Sequence, residues 1–249
     1  MDRACDRAIF YAVALTATGW AAWVRRKCWP IPWERTTTSA IVQLMVALVL
    51  IAPAAEPVIG RLFWEVTGRW HVDDMLGFML ELGALVSSNI AAMMRMPTMR
   101  RYMQPLLWYP LVIGTAVQMQ LFWQSPVTHN PGHDIFALPH HHWLTMFFAL
   151  QCLLLGYFGG INAWCAMTHL RDDPRARPVA LVWLVCVGLG AGAMLDLVIT
   201  SLGWEWFNDG YGRLAMCAAV TIYTISSARS WHRKLEQWRG LIKVTGARL

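Results

Sequence analysis

An all-α membrane protein, folded as a bundle of seven transmembrane helices, is the fold class that the sequence predicts. Three observations predict it. Hydrophobic residues make up 57% of the chain and charged residues 14%, where a soluble domain of this size carries about a quarter charged. Apolar stretches of span length recur from one end of the chain to the other. The Arg/Lys clusters between them fall on alternate connections, as the positive-inside bias requires.

The first apolar stretch runs from about residue 8 to 24 and stops at Arg25-Arg26-Lys27. More spans follow it and no small-residue cleavage site stands out, so it reads as a first helix and not a removable signal. The connection KCWPIPWERTTT has the Trp and Pro content of an interfacial loop, and the second span covers about 39–54, closed by Pro53 and Pro57. A segment from Glu56 to Trp70 follows, with Trp64 and Trp70 at headgroup level. The third span, about 74–94, ends before Arg95, Arg100 and Arg101; the fourth, about 105–123, carries Pro110, which predicts a kink. The fifth and sixth spans cover about 143–167 and 179–202, and Gly188 and Gly192 of the sixth form a small-xxx-small pair that predicts close helix approach. The seventh span, about 214–227, completes a transmembrane domain over residues 1–230, and residues 231–249 read as a basic amphipathic cytoplasmic tail.

Basic clusters follow spans one, three, five and seven, which places the N-terminus outside and the C-terminus in the cytoplasm of a bacterial inner membrane. The net charge of +6 is explained by those clusters, so nucleic acid is not an expected partner. The expected partners are the lipid bilayer, a second copy of the chain or another membrane protein, and anionic inner-leaflet lipids for the tail. There Trp231, Arg233, Lys234, Trp238, Arg239 and Lys243 have the spacing of an amphipathic surface helix. The six cysteines are scattered with no CxxC, so neither a disulfide framework nor a zinc ribbon is expected.

The third span holds the residues of most chemical interest. Asp74, Gly77, Glu81 and Ser88 recur at three- and four-residue steps and so share a helical face. Glu81 there and Asp196 in the sixth span are the acids best embedded in apolar sequence, with Gln118, Gln120, Gln151 and Asn162 as polar partners. Such groups face a bundle interior, either as a proton- or cation-coupled site or as interhelical hydrogen bonds that only fix packing. The outward connections collect His71, Asp73, His133, His140 and His142. These are donors for a divalent ion, but the spacing matches no ligand motif, and incidental histidines in a solvated loop are the plainer reading. Met93, Met94, Met96, Met99 and Met103 read as gap-filling packing and not as a soft-metal site. No Lys or His lies at mid-membrane depth, which removes a Schiff-base chromophore and paired haem ligation. No GxSxG, P-loop or HExxH is present, and no cofactor is expected.

The stretch PAAEPVIGRLFWEVTGRWHVDDMLGFMLELGAL, residues 53–85, resembles a group of actinobacterial seven-helix membrane proteins described as transporters. In that group a helix closes near a proline, a short glycine-containing segment follows, and a polar-started third helix comes next. The chain lacks the longer C-terminal region of the group and is Trp-rich, and so is also similar to short membrane proteins of actinobacterial phages and prophages. The resemblance implies a non-enzymatic role, transporter-like or as a phage or host-envelope factor. The residues offer two alternatives: a coupled transporter using Glu81 and Asp196, and a metal-dependent membrane enzyme using the outer histidines.

Overall fold

The computed structural model describes residues 3–52, 54–96, 98–131, 135, 141–172, 174, 176–201 and 211–245. It is all-helical, with 89% helix and no strand among the described residues. The elements are α1 (Arg3–Val24), α2 (Pro32–Ile51), the short α3 (Arg61–Thr67), α4 (Val72–Met93), α5 (Tyr109–Gln124), α6 (His142–Asp172), α7 (Arg177–Ser201) and α8 (Tyr211–Thr245). Five helical segments are long and apolar enough to cross a membrane: Glu34–Ile51, Val72–Met93, Arg100–Gln124, His142–Asp172 and Arg177–Ile199. α1 contributes a shorter apolar stretch, Ala8–Val24.

Packing follows a ring. α1 lies against α2, α2 against α4, α4 against α6, α6 against α7, α7 against α8, and α8 returns to α1. α5 packs mainly on α6 and turns Tyr109, Val112 and Ile113 outward, each at least 58% exposed. In a bilayer such a face meets lipid and costs nothing in water exposure. α2 and α4 approach closely at Gly77, where a Cβ would lie 2.4 Å from Ile51 Cγ1. Met93, Met96, Met99 and Met103 pack with Leu107, Phe158 and Trp183 at the far end of α4, the gap-filling role expected of them.

Three local features depart from the sequence reading. α2 ends at Ile51, and Pro57 then sits in a π-helical turn, Glu56–Gly60, that leads directly into α3; a second π-helical turn, Gln104–Trp108, holds Pro105 and leads into α5, whose first turn carries Pro110. A proline lacks the N–H that continues an α-helical ladder, and a wider turn takes up the mismatch. Gly188 and Gly192 mediate no close approach. Both are exposed on α7, with nothing within 4 Å of where a Cβ would stand. The basic tail is not a separate surface helix either, because α8 continues unbroken through it.

That continuation closes one end of the bundle. Trp231 is 3% exposed, with the Arg25 guanidinium 5.8 Å from its ring. Lys234 Nζ reaches Glu34 Oε1 at 2.5 Å, and Arg25 Nη2 reaches Glu34 Oε2 at 2.6 Å. Trp231 and Lys234 thus join α8 to α1 and α2 instead of facing lipid; an apolar stripe with basic flanks suits a protein surface as well as a membrane. Arg233 is exposed, and the side chains of Trp238, Arg239 and Lys243 lie outside the described ones.

Candidate functional site: an intramembrane cavity and a buried acidic cluster

The helices border a half-open cavity of about 580 Å³, walled by α4, α6, α7 and α8 with Leu44 of α2. Its volume is in the range of small-molecule sites, and its lining has their character: apolar, with a few convergent polar groups. Gly156 and Gly160 of α6 and Gly190 of α7 line it, so the wall at those positions is bare backbone. Glu81 of α4 and Asp196 of α7 line it too, together with Gln151, Asn162 and Arg213. The helical repeat explains the α4 contribution. Phe78, Glu81, Leu85 and Ser88 stand three or four residues apart and present one face to the chamber.

Of the five intramembrane polar residues read from the sequence, Glu81, Gln151, Asn162 and Asp196 meet in this cavity, and Gln118 stands directly behind it. Gln118 Nε2 on α5 donates to Gln151 Oε1 on α6 at 2.6 Å. Gln151 Nε2 then points at Glu81 Oε2, 3.5 Å away, and at the Phe78 carbonyl, 3.4 Å away. A polar relay therefore runs from α5 through α6 to the acid on α4. Its last link is long, so Glu81 keeps most of its hydrogen-bonding capacity for whatever enters the chamber. Asn162 plays a more structural part: its Nδ2 donates to Asn89 Oδ1 at 2.9 Å, and Asn89 Nδ2 donates to the Phe158 carbonyl at 2.9 Å, pinning α4 to α6. Asp196 Oδ2 accepts the Gly212 N–H at 2.9 Å, which anchors the start of α8, while Oδ1 is buried without a hydrogen-bond partner. Gln120, the other partner considered, is exposed on α5.

At the same end of the bundle as Asp196 lies a second constellation. His71, Asp73 and Asp74 are not in a solvated loop: they are 0%, 0% and 6% exposed, and Glu56, which the sequence reading missed, is 5% exposed beside them. His71 Nδ1 is 3.1 Å from Asp74 Oδ2 and 3.7 Å from Glu56 Oε1. Burial opposes a charge on His71, but the carboxylates of Asp74, Glu56 and Asp73 outweigh it and hold its pKa above the ordinary imidazole value. His71 is also the one described non-glycine residue with a left-handed backbone, φ 61°, a placement that costs an L-residue about 1–2 kcal/mol. Asp73 lies near the amides of its own turn, but in a geometry too poor for hydrogen bonds, and neither carboxylate oxygen has a partner.

His142 and His141 are exposed next to Trp143, and His133 and His140 lie outside the described residues. Two of the five residues read as a metal set, His71 and Asp73, thus belong to the buried cluster, with Glu56 and Asp74 beside them. A lone acid between two prolines, AAEPVIG, was the available signal for Glu56. Compared with known proteins, the chain matches no protein family, no curated protein and no solved structure.

Proposed function

We propose that the protein is a proton- or cation-coupled membrane transporter that takes a small, largely apolar molecule with a cationic or hydrogen-bond-donating head into the cavity. The observation that carries this reading is the shared cavity of Glu81 and Asp196, two acids from helices distant in sequence, in a chamber whose other walls are mainly apolar. An ionised carboxylate in such surroundings is costly without a compensating proton or cation, and Glu81 has a single long hydrogen bond. Binding a lipophilic cation or a proton there relieves that cost, which is the elementary condition for coupling the two.

The proposed orientation has the N-terminus outside and the C-terminus in the cytoplasm, with α1 and α8 completing seven crossings. Arg25, Arg26, Lys27, Arg95, Arg100, Arg101, Arg171 and Arg177 belong to one end of the bundle. Arg61, Arg69 and Arg213 belong to the other, together with Arg3 and Arg7 at the start of α1. A reporter that is active only in the cytoplasm, fused after Leu249, checks this orientation; silence from that fusion reverses it.

The functional test uses protein reconstituted in proteoliposomes and tetraphenylphosphonium as the probe. Wild type is expected to bind the probe and to move it under an imposed pH gradient. Glu81→Gln removes the coupling, and Asp196→Asn, which keeps an oxygen for the Gly212 N–H, weakens binding. Parent-like binding and flux in both variants, or no binding by wild type, sinks the reading.

A further inference from the structure

We propose that Glu56, His71 and Asp74 hold a divalent transition-metal cation, of the zinc or manganese kind, at the end of the bundle that carries the α2–α4 connection. The donors come from three separate pieces of chain, the π-helical turn, the loop and the first turn of α4, yet one ligand atom from each lies within 4.8 Å of the others. Ligand atoms 2.0–2.1 Å from a tetrahedral centre stand roughly 3.3 Å apart. The 3.1 Å and 3.7 Å separations from His71 Nδ1 to Asp74 Oδ2 and Glu56 Oε1 bracket that edge length. The third edge, between the Glu56 and Asp74 oxygens, is no longer than 4.8 Å, and closing of the two carboxylates around the ion would complete the site.

Asp73 supplies an independent observation. Its side chain is wholly buried, both oxygens lack a hydrogen-bond partner, and Oδ2 is 3.4 Å from where a Cβ on Gly60 would stand. Glu56 Oε1 comes within 3.0 Å of the same point. Two carboxylates therefore converge over a glycine that leaves them room, in a place where water does not reach. Three carboxylates, Glu56, Asp73 and Asp74, face a single imidazole, so even a protonated His71 leaves an excess of negative charge that a divalent cation would neutralise. The donor set is one imidazole and carboxylate oxygens, with no thiolate, which suits zinc or manganese better than copper(I) or an iron–sulfur centre. His71 meets Asp74 and Glu56 from a left-handed backbone, φ 61°.

The site differs from the outer-histidine enzyme considered from sequence. Its residues are closed from solvent, so its role is to tie the π turn and the start of α4 together, not to expose an ion to substrate. The test begins with wild-type full-length protein purified in detergent, stripped with a chelator and dialysed against Zn²⁺ or Mn²⁺. One bound equivalent is expected, with a rise in Tm over the stripped protein. Asp74→Asn, Glu56→Gln and His71→Asn, the last chosen because Asn tolerates a left-handed backbone, should weaken binding by about tenfold or more. Glu81→Gln should bind like wild type. The proposal is overturned if wild type binds neither metal stoichiometrically, or if it binds one and the three cluster variants bind it equally well.

Discussion

Glu34→Ala is the perturbation with the most clearly defined cost. Glu34 joins α1, α2 and α8: Oε2 is 2.6 Å from Arg25 Nη2, and Oε1 is 2.5 Å from Lys234 Nζ. The side chains of Arg25 and Glu34 are 3% and 4% exposed. Truncation leaves the guanidinium buried with only neutral acceptors: Thr38 Oγ1, the Ser227 carbonyl and the backbone carbonyl of residue 34, at 3.3–3.4 Å. Breaking a buried pair from one side costs about 3–5 kcal/mol. Because those acceptors remain, the expected loss is at the lower end, about 3 kcal/mol. Lys234 provides an internal control. Its side chain is 37% exposed, solvent screens its charge, and Lys234→Ala should cost no more than about 1 kcal/mol. The measurement is reversible unfolding in mixed micelles by SDS titration, followed by tryptophan fluorescence. Equal losses for the two variants, or a Glu34→Ala loss within about 0.5 kcal/mol of zero, would refute the assignment of the buried Arg25–Glu34 pair as the costly link of this network.

Two glycines make a matched pair. Gly77→Ala places a Cβ 2.4 Å from Ile51 Cγ1 and 3.3 Å from the Ala47 carbonyl oxygen, so α2 and α4 must separate, at about 1–3 kcal/mol. Gly188→Ala meets nothing within 4 Å and should be neutral or stabilising by up to about 1 kcal/mol; melting curves in one detergent rank the two. Cys28 is fully buried, and burial pushes its thiol above the usual range despite the Arg25 charge. Its thiolate, the reactive form, is therefore scarce. Maleimide labelling of a variant retaining only this cysteine should be slow at about pH 8 and complete after SDS unfolding, and fast labelling of the folded protein contradicts the buried placement.

The helical course of the chain was legible because its signal is compositional: an apolar run of span length cannot be hidden, and most of each run falls within a helix. Glu81 was legible for a related reason, since one acid among Met, Leu and Phe at a helical step stands out. That it shares a chamber with Asp196 follows from the ring order of helices, which is a tertiary fact. Periodicity showed that Gly188 and Gly192 share a face but not which neighbour, if any, that face meets. The pattern around Trp231 and Lys234 is the same for a helix on lipid and for one on protein, so their docking onto Arg25 and Glu34 could not be read. Glu56 escaped because its partner His71 is fifteen positions away and meets it through one left-handed residue that no propensity foretells.

The buried acids fall into two kinds, and the difference carries an argument about function. Glu34 is satisfied by two cations and fixes one end of the bundle. Glu81 and Asp73 lack comparable partners, and both are on α4. Asp74 and Glu81 are two turns apart on one helical face, about 10 Å along the axis, so an ion held by Asp74 would steady the helix that positions Glu81 over the cavity. The two proposed sites should therefore be coupled: loading the stripped protein with metal should change its affinity for tetraphenylphosphonium, by roughly 5-fold or more if the coupling has ordinary allosteric strength. The effect should vanish in Asp74→Asn while Glu81→Gln still binds metal. Identical probe affinity with and without bound metal would leave the cluster as a local pin of the α2–α4 connection and the cavity as an independent site.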